Sequence, residues 1–410
     1  MTAPLRFLPP LTYLLLTTFV ATSAHGVPAS VVAADLPADI AALLAAQSPW
    51  SASANLQTGF GYKDNILLSH TSAEGSSYAL GGVEALLWHR PLARIDYFAF
   101  INAEETRYFT SQVVHHEAQA FAQVEWRYRL GDTFKFSLDG QGYYLDQIFD
   151  VSDTDVRQVV AVLKVKGVTF GPTLRWTPVS WWWVEAQGIG KREFSPPGDI
   201  ISRSFDGGPL PQTNEAQLTG ASNRSGGGTV RLGWRPSTRF EVSAEGIERW
   251  RDFDSRPQYD SDGRALDGTI LKITEREGGL RFDVTWDAAA RWKTTTRVST
   301  LHYYDNGSGF FNYHQRKLEQ TLEWTTDKWL VRLDGSARRL EFEVQTVGIG
   351  ISPPARIKEE FIAQLRVERK ISSRWTVFGE YDWERSRCND LIAAYRVNQG
   401  LLGAKWSWEK

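Results

Sequence analysis

The sequence predicts an all-β fold: a transmembrane, antiparallel, up-and-down β-barrel of about 16 strands that follows an N-terminal signal peptide. Three observations lead there. Apolar and polar residues alternate with a period of two along most of the chain from Ser51 onward. Aromatic residues flank the tight turns on one side of that pattern. Beyond the N-terminus no apolar run approaches the roughly 20 residues a spanning helix needs.

Composition narrows the class further. Seventeen Trp, fourteen Tyr and twenty-one Phe accompany one Met and one Cys in 410 residues. A net charge of −2 leaves no electrostatic footprint for nucleic acid. The single Cys388 excludes a disulfide framework, and zinc-type Cys pairs are absent. No cofactor-binding motif is present, and no cofactor is expected.

The chain divides into three segments. Residues 1–26 carry Arg6, the apolar stretch Leu11–Val20 and the small residues Ala21-Thr22-Ser23-Ala24, the layout of a secretory signal peptide. Residues 27–50 are Ala-rich and read as a periplasmic lead-in with room for one short helix at Leu36–Ala46. Residues 51–410 are the barrel.

Within the barrel, Phe134, Phe136, Leu138, Gly140 and Gly142 alternate with Lys135, Ser137, Asp139 and Gln141. Phe361, Ala363, Leu365 and Val367 alternate with Gln364, Arg366 and Glu368 in the same way. Alternation sends the two sets to opposite sheet faces. A soluble sandwich alternates too, so the turns decide. Segments such as Trp176-Thr-Pro-Val-Ser-Trp-Trp182, Trp286-Asp-Ala-Ala-Ala-Arg-Trp292 and Trp324-Thr-Thr-Asp-Lys-Trp329 put aromatics beside short connections. Trp and Tyr suit a membrane interface, where one part of the ring is apolar and the other wet. The residues Trp176, Trp182, Trp234, Trp286, Trp292, Trp324, Trp329 and Trp375 are therefore expected to form an interfacial belt. Seven short turns and eight longer loops give sixteen strands, with both barrel ends on the short-turn side.

The first strand, Thr58-Gly-Phe-Gly-Tyr-Lys-Asp-Asn-Ile-Leu-Leu68, resembles the opening of bacterial outer-membrane β-barrel porins and of barrels encoded with exopolysaccharide systems. Their strand often reads Gly-Tyr-Asp-Asp-Asn-Val; Gly61-Tyr62-Lys63-Asp64-Asn65-Ile66 matches it at most positions, and Lys63 departs from it. The resemblance implies the outer membrane of a Gram-negative-type bacterium. It also implies assembly machinery that reads a C-terminal aromatic, a part Trp408 would take here.

Inside the barrel, parity assigns fourteen basic and fourteen acidic residues to the lumen. Among them are Lys135, Asp139, Glu125, Arg127, Arg281, Asp283, Arg332, Asp334, Arg366 and Glu368, and also Lys164 and Lys166. Such charges cannot face lipid, where Lys or Arg costs about 2–4 kcal/mol at mid-depth. They either pair along the wall or line a polar conduit.

Candidate chemistry is sparse. His70-Thr71-Ser72 has the His-x-Ser spacing of barrel lipid hydrolases, but it falls in a loop with no orienting partner for the His. Catalysis is not expected. Asp150, Asp153 and Asp155 share one loop and read as solvated acids. Asp260-Ser-Asp-Gly263 resembles the start of a calcium loop, but Leu271 stands where the closing Glu belongs. No metal site is assigned. If any loop folds inward to narrow the pore, Ser195–Thr213 is the expected one.

The function these features imply is a passive porin or an export conduit for hydrophilic cargo such as polysaccharide. The expected partners are outer-membrane lipids, lipopolysaccharide, the barrel-assembly machinery and small hydrophilic solutes. A non-conducting structural or adhesive barrel is the alternative, and a barrel lipid hydrolase ranks last.

Overall fold

The structure is a computed structural model describing residues 50–70, 73–89, 94–155, 159–202, 218–348 and 350–409. The signal-peptide segment and most of the lead-in lie outside the described residues, as do Thr71, Ser72 and residues 203–217.

The strands in chain order are β1 (Trp50–Lys63), β2 (Ser76–His89), β3 (Ile95–Tyr108), β4 (His116–Leu130), β5 (Phe134–Asp150) and β6 (Val160–Val179). Next come β7 (Trp182–Phe194), β8 (Asp199–Ser202), β9 (Asn223–Ser237), β10 (Phe240–Phe253), β11 (Gln258–Tyr259), β12 (Ala265–Leu266) and β13 (Lys272–Thr285). The last are β14 (Trp292–Asp305), β15 (Tyr313–Thr325), β16 (Trp329–Thr346), β17 (Ala355–Lys370), β18 (Trp375–Cys388) and β19 (Tyr395–Glu409).

Sixteen of these form one closed antiparallel ring in which each pairs with its chain neighbour. The exceptions are β8, which pairs only with the start of β6, and the small β11–β12 hairpin. Because β8 lies off the ring, β7 pairs directly with β9. The ring closes where β1 meets β19, in register from Ser53 opposite Glu409 to Lys63 opposite Gln399. Closure gives every strand two partners and leaves no free edge, the condition for sheet to cross lipid.

The two faces differ as alternation requires. Outside lie Phe60, Ile101, Val124, Val168, Phe170, Val230, Leu280, Val298, Leu318 and Leu402, all exposed. An apolar exterior on a closed sheet is the surface of a membrane-spanning barrel. Trp176, Trp182, Trp234, Trp286, Trp292, Trp324, Trp329 and Trp375 sit on this outer side at the short-turn end. Several meet one another: the Trp176 and Trp182 rings lie 5.3 Å apart, those of Trp292 and Trp324 5.9 Å.

Inside, aromatic rings lie over glycines of the neighbouring strand. Trp183 on β7 is buried against Gly233 on β9, where an added Cβ would sit 2.1 Å from its ring. Only a residue without Cβ lets the ring approach so closely. Gly233→Val should therefore destabilise the barrel by about 1–3 kcal/mol through overpacking. The outward Gly246, with open space around its Cβ position, should accept Val at little cost. Urea midpoints of the two variants measure the contrast, and equal midpoints would contradict it.

Candidate constriction at the long-loop end of the lumen

The inward charges pair along the wall. Arg297 on β14 is the centre of the longest chain, at 2.6 Å from Glu245, 2.6 Å from Glu277 and 2.9 Å from Glu319. Its reach to β10 passes over Gly279 of β13, which presents no side chain there. The chain continues through Arg231, 3.3 Å from Glu245 and 2.7 Å from Glu185. At the other end Lys317 stands 2.5 Å from Glu319. Opposite charges thus neutralise one another from β7 round to β15.

The ten lumen residues named from the sequence all point inward. Arg127 holds Glu125 at 2.5 Å and Asp96 at 3.4 Å. Arg281 pairs with Asp283 at 2.8 Å, and Arg332 with Asp334 at 2.6 Å. Arg366 joins Glu368 at 2.7 Å and Glu380 at 2.8 Å. Asp139 accepts hydrogen bonds from Gln123 and Gln141, and Lys135 is inward on the same strand. Parity fails at two further positions: Lys164 and Lys166 share the outer face of β6 with Val168 and Phe170, and both are exposed. Near its long-loop end β6 turns Val165 and Gly167 inward and both lysines outward.

At the long-loop end the geometry changes. The connection from β5 to β6 folds into the lumen and meets the opposite wall, eight ring positions away, on β16 and β17. Lys358 Nζ stands 2.7 Å from Asp150, 2.9 Å from Asp153 and 2.9 Å from Glu360, and 3.0 Å from Ser152 Oγ. Arg356 donates to the Ser152 carbonyl and to Gln345 Oε1, at 2.8 and 2.9 Å. Arg338 pairs with Glu360 and reaches Asp153 at 3.4 Å. From the β10–β11 connection, Arg256 donates to the Thr154 carbonyl and lies 3.9 Å from Asp155. Four cations from the far wall and a neighbouring loop thus hold one short segment across the opening.

The loop's own hydrogen bonds shape it for this. Thr154 and Asp155 both donate backbone N–H groups to the Val151 carbonyl, making a single helical turn. Its base is anchored in an apolar cluster of Phe149, Val151, Val159, Ala161, Ile200 and Leu218. Two further clusters fill the same end. Ile66, Leu67 and Leu68 of the β1–β2 connection pack with Tyr78, Tyr108 and Tyr395. Phe311 and Leu271 pack with Tyr303, Tyr313 and Phe342.

Solvent access to the inward charges varies round the ring as well as along it: Arg366, Glu368, Glu380 and Lys405 are buried toward the short turns of β17 to β19. Near the short turns, the Asp283 and Asp334 side chains keep 31% and 29% of their accessible surface. At the cap, Lys358 keeps 1% and Arg356 none. The described part of the interior is charge-lined and capped at the long loops, and its more accessible charges lie toward the short turns of β6, β9, β13 and β16.

One expectation about the loops is corrected here. Asp150, Asp153 and Asp155 are not solvated acids: Asp153 and Asp155 are buried, Asp150 is nearly so, and all three lie against Lys358, Arg338, Arg356 or Arg256. Of Ser195–Thr213, residues 203–213 lie outside the described residues; Ile200 packs in the apolar cluster under the loop after β5. The far wall of the constriction, Arg338, Arg356, Lys358 and Glu360, was missed, although extending the Phe361–Val367 alternation backward puts Arg356, Lys358 and Glu360 on the inner face. In the 260–263 segment, the Asp260 carboxylate accepts from the backbone N–H groups of Asp262 and Arg264. Of the His70-Thr71-Ser72 segment, only His70 is among the described residues.

No family model matches the sequence, and no curated protein matches it. Solved structures are similar in architecture. The copper transporter OprC is 12% identical with a TM-score of 0.40, covering 84% of this chain, which in turn spans only 62% of OprC. OmpT of Vibrio cholerae is 12% identical with a TM-score of 0.42, covering 88% of this chain and 99% of its own. OccAB3 of Acinetobacter baumannii is 7% identical with a TM-score of 0.43, covering 88% and 99%.

Proposed function

We propose that this chain is an outer-membrane channel for hydrophilic solutes, held closed at its outer end by the loop after β5. A charge-lined lumen whose long-loop end is closed by a buried, ion-paired loop is the observation that carries this reading. An apolar exterior requires a bilayer. A closed barrel entered through a signal peptide fits the outer membrane, with the short turns in the periplasm and the long loops outside. The barrel-assembly machinery is the expected partner there, and Trp408 its contact. The inward wall has the composition of a water path, and sixteen strands are enough to enclose one. Nothing in the reading requires a catalytic step, so the chain is taken as a non-enzyme. Polysaccharide or small solutes both fit a charge-lined interior.

Selectivity follows from the pairing. Pores that discriminate use rings of one sign, whereas here each Arg of the central chain faces carboxylates. Recordings in planar bilayers under a potassium chloride gradient, with the cap released by Lys358→Met, are expected to show a reversal potential near zero. A strong preference for either ion would contradict the balanced lumen. The apolar clusters under the cap also favour a second reading, a non-conducting structural barrel. Absence of current even after the cap is released would establish it over the channel.

A further inference from the structure

The outer face of β13 to β17 carries a feature the channel reading does not use. Leu280, Val298, Leu318, Ala337 and Phe361 are successive cross-strand partners on this face. One step toward the long loops, the next outward row runs Gly278, Thr300, Arg316, Arg339 and Glu359. The chain passes from lipid-compatible to charged within a single outward residue, which places the edge of the apolar band between the rows. A groove of about 690 Å³ straddles that edge, deepened where Gly278 and Ala337 leave no bulk.

The charges in the upper row are unevenly satisfied. Arg339 pairs with Glu341 at 2.8 Å and with Glu359 at 3.4 Å. Arg276, one row higher, is 3.2 Å from Glu248. Arg316 is exposed, stands directly opposite Arg339, and makes no ion pair or hydrogen bond among the described residues. Like charges at facing positions destabilise a sheet unless something lies between them. A guanidinium at the top of an apolar groove complements an anionic head joined to a hydrocarbon tail, and Arg suits phosphate through its planar fork of donors.

We propose that this groove holds a phosphorylated glycolipid of the outer leaflet, its phosphate on Arg316 and one acyl chain against Val298 and Leu318. A second copy of the chain is the competing occupant. A two-fold copy about an axis along the membrane normal would bring Arg316 level with its own counterpart, which disfavours it. The inference rests on the outer-membrane placement, which cell fractionation tests separately, and it does not depend on whether the lumen conducts.

The test uses the folded barrel in detergent, titrated with bis-phosphorylated lipid A and followed by native mass spectrometry. One saturable lipid per barrel is expected. Arg316→Ala, which removes the phosphate contact, and Val298→Trp, which fills the groove, should each weaken binding at least tenfold. Lys166→Ala, an exposed outward cation on β6, should leave it unchanged, and lipid A stripped of phosphate should bind as weakly as to the Arg316 variant. Cooperative urea unfolding of each variant shows that a loss is not misfolding. Equal binding by wild type and the Arg316→Ala or Val298→Trp variant overturns the proposal. So does efficient Leu318→Cys cross-linking between barrels with no lipid A retained, which would assign the face to a second copy.

Discussion

Replacing Lys358 by Met should raise single-channel conductance several-fold. The ammonium is the common partner of Asp150, Asp153 and Glu360, and it is buried. Removing it leaves three carboxylates close together with only the guanidinium groups of Arg338 and Arg356 to offset them. Breaking a buried pair in this way costs about 3–5 kcal/mol, because the remaining charge is uncompensated. Glu360 is held in the β16–β17 ladder and cannot move away. The loop can: its turn is pinned through side chains and the Ser152 and Thr154 carbonyls, not through a strand ladder. Relief should therefore come by the loop leaving the lumen. Adding Asp153→Asn to Lys358→Met removes one of the stranded carboxylates and should restore part of the closure. A double-mutant comparison of open-state conductance reads that coupling. Unchanged currents in the Lys358 variant would mean that the apolar clusters close the outer end unaided.

The second large effect separates the two faces of one strand. Leu138 lies on the lipid side of β5, opposite Trp126 and Pro172 in register. Gln141 lies on the inner side and donates to Asp139 at 2.7 Å. Leu138→Arg should destabilise the barrel by about 2–4 kcal/mol if its depth is near the bilayer midplane, less toward the interface. Gln141→Arg places its charge beside the Asp139 carboxylate and should cost far less. Urea unfolding from lipid vesicles measures the difference. Equal sensitivity would refute the facing of β5.

The wall was legible in the sequence because membrane barrels write it twice. Alternation marks the faces, and the aromatics mark one end of each hairpin, so the sixteen strands and the short connections could be counted from residues alone. Alternation is weakest where strands leave the lipid, because there neither face must be apolar. Lys164 and Lys166 were misplaced for that reason. The cap was not legible for a different one. Asp150 and Asp153 look like any acidic loop until the ring closes and brings Arg338, Arg356 and Lys358, about two hundred residues later in the chain, within 4 Å. Spacing along a chain does not encode distance across a ring.

The same closure gives the cap a mechanical meaning. A single-layer ring of strands is stiff along each hydrogen-bonded ladder but bends between ladders, so an empty barrel can flatten into an oval. The segment from Val151 to Asp155 is tied to β5 and β6 on one side and, through Lys358, Arg356 and Arg338, to the diametrically opposite strands. It acts as a strut across a hoop. Pressure on one wall is carried to the other through charges less than 4 Å apart, and an oval ring must break them. The circular cross-section and the shut mouth are thus one state, each stabilising the other.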